Sequence, residues 1–435
     1  MAIKKVKITN FRSFKEAEVH LGAFNVLIGA NASGKSNFVQ LFRFLRDIRK
    51  EGLDNAISLQ SGVEYLRNIN IGNSQKLSIE ITSDPIYFSH PAISRGLLKY
   101  IPRPAMRRGR LKQIGRVKIG EIIYKFSIDF KKARGRGPKF KIVEDEVILK
   151  IKDDEGPLLI NEKLFSGDIV ISKNQEGKIS VIPRHDRGEK GEEEIRNEFF
   201  SLFFWDKQLL PPENLLLEIS DPFLRNILDS ITVYDFDPKQ SKKAIPISGK
   251  AELEEDGANL SIVLKNIMED KEERRKLLNL VRDLLPFVRN FSVEKFADRS
   301  LIFELHEVYS DKHHLPASLI SDGTINVLAL VIALYFEGKS LAIIEEPERN
   351  MHPHLVSKIV EMMKDAAQKK QIIVTTHNPE MVKYAGMENI LLVSRDKDGF
   401  STICRPSEKK EIQTFLKNEM EIEELFVQNL LELNA

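Results

Sequence analysis

The chain has 435 residues, 42% of them apolar, and its 66 basic and 64 acidic residues leave a formal net charge of +2. That length suits one large domain with insertions, or two to three domains of roughly 150 residues each, around a sizeable packed core. Near-neutrality excludes a polycation that coats nucleic acid along its whole length, and the lone cysteine, Cys404, excludes an internal disulfide or a cysteine-built zinc site.

The opening MAIKKVKITNFRSF alternates apolar and polar residues like a strand and lacks the apolar core of a secretory signal. The longest apolar run, residues 327–336, is far short of the ~20 residues a membrane span requires. With one cysteine, these features predict a cytoplasmic protein with no membrane contact. Residues 1–28 read as two strands, around VKITNF and FNVLIG, the second running into a glycine-rich loop and a helix of period 3.6, FVQLFRFLRDI.

Between about 76 and 230 the composition changes. Short β-type runs (KLSIEIT, EIIYKFSIDF, EVILKIK, DIVISK, KISVIP) alternate with charged, glycine-containing turns, as expected of an inserted β-rich region. Within it, residues 95–141 hold sixteen Lys and Arg against Glu121 and Asp129, a local excess of 14 that leaves the rest of the chain at −12. Such a segment suits a phosphate backbone, an acidic protein, or simply solvent. Residues 184–195 are almost devoid of apolar groups, the composition of a loop.

From 231 the buried pattern resumes with a helix around KEERRKLLNLVRDLLPFV, strands around NFSVEKF and SLIFELHEV, and the long apolar helix TINVLALVIALYFEG. The strand LAIIEE, another helix and the strand QIIVTTHN follow, an alternation that predicts an α/β fold with parallel strands. The tail 408–435 reads as helical and acidic, with an apolar face able to dock on the body or on a partner.

Four stretches carry chemistry. Residues 29–36, GANASGKS, form a complete G-x-x-x-x-G-K-S between an apolar strand and a helix. Glycines let the backbone curl around phosphates, the helix N-terminus favours negative charge, Lys35 reaches β- and γ-oxygens, and Ser36 binds magnesium. Gly29, Asn31, Ser33, Gly34, Lys35, Ser36 and Asn37 are therefore the candidate nucleotide-binding set, for ATP with Mg²⁺. The strand LAIIEE ends in two carboxylates that strand alternation points in different directions. Glu345 is positioned to hold magnesium, and Glu346 to deprotonate an attacking water. The strand QIIVTTHN delivers His377 at its carboxyl end, where open α/β sheets bind ligands. Ser321-Asp322-Gly323-Thr324 precedes the long helix and offers a hydroxyl, a glycine and a helix N-terminus, a further anion site or an ordinary cap.

In this order, GANASGKSN, SDGT, LAIIEEPERNMHP and IVTTHNPEMV resemble the Walker A, signature, Walker B with D-loop, and switch histidine of ABC-class ATPases. More closely, the set is similar to the AAA-domain ATPases grouped with RecF, the SMC heads and the OLD (overcoming lysogenisation defect) family. ITNFRSF, VYDFDP and LEEDGANL extend the likeness over about 1–75 and 231–400. The resemblance implies a P-loop NTPase of the ABC/SMC-head type with a mixed sheet, residues 1–75 and 231–407 forming the head and 76–230 the insertion. It also implies composite ATP sites in a head-to-head homodimer, with Ser321 and Gly323 acting across the interface and His377 within its own site. Asn350 and His352 fall in the D-loop facing the partner, and Arg12 is a candidate nucleotide contact or a structural arginine.

Two departures weigh against transport: Glu345 stands where transporter ATPases have Asp, and the signature is Ser-Asp-Gly-Thr. Gln60 is the one candidate for a Q-loop. OLD nucleases carry a metal-dependent TOPRIM domain after the ATPase. Here only 58 residues follow His377, and DKDG at 396–399 reads as a hairpin turn, so a nuclease is not expected in this chain. Two uses of hydrolysis stay open: a DNA-associated ATPase of repair or antiviral-defence type gripping phosphates through 95–141, or a regulatory ATPase holding a separately encoded nuclease or toxin effector.

Overall fold

The computed structural model describes residues 2–84, 86–88, 117–130, 140–151, 158–160, 163–165, 167–185, 209–218, 228–296, 299–408 and 422–428. Most of the basic segment 95–141, the loop from 186 onward and much of the tail lie outside the described residues. The chain divides into two compact units, one of residues 1–21, 44–229 and 399–401, the other of 22–43, 230–398 and 402–435.

The second unit is built on a six-stranded sheet in the order Ile231–Tyr234, Leu341–Glu345, Gln371–Thr375, Phe24–Ile28, Ile390–Arg395, Ser401–Cys404. The first five are mutually parallel. Parallel strands covered on both faces must be apolar throughout, and FNVLI, QIIVT and the LAII of LAIIE are wholly buried. The short DKDG turn leaves the last pair no room for a parallel crossover. Gly399 sits there at φ 81° and the Asp398 N–H donates to Asp396 Oδ1 at 3.0 Å. One antiparallel edge on a parallel core is the mixed sheet expected of this P-loop NTPase class.

The helix Asp322–Tyr335 has every residue from Thr324 to Leu334 buried, which explains a sequence apolar on all sides. It shares one apolar core with the sheet, the helices Leu260–Glu269, Lys271–Leu284 and Pro353–Ala366, and Leu425 of the tail helix Ile422–Val427. The strands Val288–Phe296 and Ser300–Glu307 depart from the parallel expectation: they pair antiparallel in a separate sheet. Only three residues separate them, far fewer than a parallel crossover needs.

The first unit holds a seven-stranded sheet in the order Ile179–His185, Gly167–Lys173, Phe140–Ile151, Glu121–Phe130, Leu77–Ser83, Ile3–Phe11, Phe14–His20. Every neighbouring pair is antiparallel, and burial alternates along the strands as in a sheet covered on one face. All five β-type runs become strands, but they continue one sheet with the opening of the chain, because Ile3–Phe11 pairs on both sides. The units thus part differently from a head over 1–75 with an insertion from 76. FKEAEVH, passed over in the sequence, forms an edge strand at one end of this sheet. Pro183 lies on the other edge strand, the position in a sheet where proline is tolerated.

Residues 209–218 are pinned to this sheet by buried polar groups. Asp145, 1% exposed, accepts from the Tyr124 hydroxyl at 3.1 Å and the Leu216 N–H at 2.8 Å. Lys173 donates to the carbonyls of Pro212, at 3.0 Å, and Asn214. Gly177, at φ 86°, accepts the Leu210 N–H, and a Cβ there would lie 1.9 Å from the Leu210 carbonyl oxygen. Burial outweighs these donors and pushes the Asp145 carboxyl up to about 7. Between its unfolded value near 3.9 and about 7, the folded chain keeps a proton the unfolded chain has released, so this contribution is full at low pH and lost as pH rises through about 7. The melting temperature of the wild type should therefore fall relative to that of Asp145→Asn between about pH 4 and 7; parallel profiles would contradict it.

Candidate nucleotide site

The P-loop runs between the buried strand Phe24–Ile28 and the helix Lys35–Glu51. Gly29 (φ 148°), Ala32 (φ 61°) and Gly34 (φ 122°) take left-handed backbone angles, the alternation that curls successive N–H groups into an anion-binding concavity. Gly29 admits no side chain, since a Cβ would meet the Val393 carbonyl oxygen at 2.0 Å. Arg395 braces the loop by donating from Nε to the Ala32 carbonyl at 3.0 Å. Lys35, 7% exposed, folds back so that Nζ donates to the carbonyls of Gly29 (2.7 Å) and Ala30 (3.0 Å). Ser33 is buried, Asn31 and Ser36 are exposed, and Asn37 is half-buried. A curled backbone, an unusually buried ammonium and the first turn of a long helix fit a polyphosphate.

Parallel register brings the other chemical groups to the same sheet end: Glu345 pairs with Thr375, Thr375 with Leu27, and the Thr376 N–H donates to the Leu27 carbonyl. Glu345 is half-buried, and burial raises its pKa against the opposing pull of Arg43. Arg43 Nη2 lies 3.2 Å from Glu345 Oε1, while its Nη1 lies 3.0 Å from Glu255 Oε2. Glu346 turns to φ 45°, with its N–H on the Thr375 carbonyl at 2.9 Å. His377 Nε2 stands 3.5 Å from Glu346 Oε1. Burial first, then the Lys35 charge, lowers the imidazole's pKa while Glu346 opposes, so these three groups share one electrostatic environment.

Ser321 caps the Asp322–Tyr335 helix: its Oγ accepts the Thr324 N–H at 3.2 Å and lies 2.8 Å from Thr324 Oγ1. Asp322 forms an ion pair with Lys242. A Cβ on Gly323 would lie 2.4 Å from the Asn350 carbonyl oxygen, and Asn326 donates to the Arg349 carbonyl at 2.8 Å. The signature turn and the D-loop are thus packed backbone to backbone, with Asn350 itself at φ 64°. His352 caps the helix Pro353–Ala366. Arg12 and Gln60 belong to the other unit, where they bond to each other and the Arg12 N–H donates to the Leu66 carbonyl at 2.9 Å.

Several residues of the site escaped the sequence reading. Arg43, Asp235, Glu255 and Arg349 form two bridges, each tying one glutamate of the Glu345-Glu346 pair to an acid from VYDFDP or LEEDGANL. In the sequence those stretches carry a family resemblance and no assignable role. Glu348, 9% exposed and raised by burial, accepts from Thr376 Oγ1, which in turn accepts the Asn378 N–H at 2.9 Å. It fixes the residues on either side of His377 to the D-loop. Among the described residues a separate His and carboxylate cluster, Glu304, His306 and His314, stacks its imidazoles with centroids 3.4 Å apart. In-plane lone pairs of such nearly parallel rings do not converge on one ion.

The decisive comparison is with the family described as "AAA domain, putative AbiEii toxin, Type IV TA system", which matches residues 24–88 and 112–383. The chain belongs to this family. The match takes in the P-loop, the signature turn, the paired glutamates and His377 together, so the ABC/SMC-type ATPase architecture stands. Septu protein PtuA of Bacillus mycoides is 30% identical over 132 residues, 27% of this chain and 18% of that protein. Endonuclease GajA of Bacillus cereus is 32% identical over 82 residues, 18% of this chain and 14% of that one. Both alignments thus span under a fifth of the relatives' own lengths. An SMC head bound to the C-terminal winged-helix domain of ScpA superposes over 93% of this chain and 98% of its own, with 15% identity and a TM-score of 0.46. No helix among the described residues is long and apolar enough to cross a membrane.

Proposed function

We propose that the chain binds ATP with magnesium and hydrolyses it, and that two copies dimerise head to head to complete the sites. The observation that carries this reading is the meeting of Glu346 and His377, 3.5 Å apart, with the His377 pKa lowered by burial first and then by the charge of Lys35. Lys35 exchanges two loop carbonyls for phosphate oxygens, a stronger charge-assisted bond. Glu346 accepts a proton from a water as that water's oxygen attacks the γ-phosphorus and the bond to the ADP oxygen breaks. His377, favoured in its neutral form, offers one ring N–H to the transferring phosphoryl group. Ser36 and Glu345 are the residues that would hold magnesium, which when bound neutralises phosphate charge. Ser321 and Gly323 serve the partner's nucleotide across the dimer, with Asn350 and His352 at the same seam.

The use of this turnover is proposed to be DNA-associated, through the +14 segment at 95–141. Linear duplex DNA should stimulate ATP turnover, and the stimulation should fade steeply as salt rises, because each phosphate contact releases counterions. Turnover indifferent to DNA would overturn that use and favour a separately encoded effector protein as the partner.

A further inference from the structure

Glu346 is not idle in this structure. Its Oε2 receives two donors from Arg349, Nη2 at 3.1 Å and Nε at 3.3 Å, and the other arm of the same guanidinium, Nη1, reaches Asp235 Oδ1 at 3.1 Å. Arg349 sits three residues beyond Glu346 in a tight turn, its N–H on the Glu346 carbonyl at 3.0 Å. The backbone of that turn is anchored independently, by Asn326 on the Arg349 carbonyl. The guanidinium can therefore swing without unfolding the turn that carries it. Arg349, Asp235 and Glu346 are 43%, 48% and 35% exposed, so each ion pair is weak and exchangeable.

A general base must offer a lone pair to water. Here one carboxylate oxygen is occupied by Arg349 and the other faces His377. We propose that Arg349 is a positioning residue that restrains Glu346 between turnovers, and that Asp235 is the alternative anchor drawing the guanidinium away when Glu346 is needed. In this proposal Arg349 acts through Glu346, the carboxylate that its guanidinium holds. This rests on the reading of Glu346 as the base.

The test is steady-state ATP turnover of the full chain in five variants, with melting temperatures alongside. Arg349→Ala should raise kcat by up to about fivefold, the size of an exposed ion pair, with KM unchanged. Asp235→Asn should lower kcat, because among the described residues the guanidinium then keeps Glu346 as its anionic partner. The double variant should turn over like Arg349→Ala. Arg349→Lys, whose compact ammonium cannot fork between two carboxylates, should fall between wild type and Arg349→Ala, and it keeps the test sound if the alanine variant folds poorly. A fall in kcat for both Arg349 variants, or a double variant as slow as Asp235→Asn, would overturn the proposal. Glu346→Gln separates the two ideas: if it turns over freely the base assignment fails, whereas if it is inactive and Arg349→Ala is slow, the restraint alone fails.

Discussion

Magnesium-ATP is expected to raise the melting temperature of the wild-type chain and to leave that of Lys35→Ala unchanged. A ligand at a hundred times its dissociation constant stabilises the folded state by about 2.7 kcal/mol, and the proposed site places Lys35 as the group on which this binding depends most. Lys35 is 7% exposed and its ammonium rests on the Gly29 and Ala30 carbonyls, so it needs only to change acceptors. Alanine leaves the curled loop and the helix N-terminus but removes the full positive charge facing the phosphates. The carbonyls it releases can turn to water, so the variant should fold. Thermal shift across an ATP titration checks this, and an equal shift in wild type and variant would move nucleotide binding away from the P-loop.

Glu346→Gln should bind ATP and fail to turn it over, with kcat lower by roughly 10²- to 10⁴-fold, the span of a general base. The amide keeps the shape of the carboxylate and can still accept from Arg349, but it cannot take a proton from water. Binding depends on the loop and is retained, so the variant should accumulate ATP-bound dimer. Single-turnover phosphate release together with sedimentation in ATP reads both effects. A variant that releases phosphate at the wild-type rate would remove Glu346 from the role of base.

The chemistry of the site was legible where one residue type at one spacing has few alternatives. G-x-x-x-x-G-K-S could be placed because it lies between the apolar strand FNVLI and a helix of period 3.6, and the apolar strands ending in Glu346 and His377 announced a parallel sheet. Register then did what the sequence could not, setting those strand ends side by side. The two arginine bridges were illegible because they join residues far apart in the chain: Arg43 to Glu255 and Glu345, Arg349 to Asp235. Nothing local distinguishes such arginines from solvated ones. The same limit explains the first unit, where KLSIEIT and EIIYKFSIDF were recognised as strands but their continuity with VKITNF depends on pairing between Ile3–Phe11 and Leu77–Ser83. It also explains Asp145, an acid within an alternating strand whose burial is set by Tyr124 and the remote residue Leu216.

The most direct measurement is phosphate release from magnesium-ATP by the purified chain, with Lys35→Ala prepared in parallel as the blank. Steady release by the wild type that vanishes in the variant is the predicted result. Release that persists in Lys35→Ala, or a wild type that binds ATP and never releases phosphate alone, with DNA or with any partner chain, would contradict hydrolysis at this site.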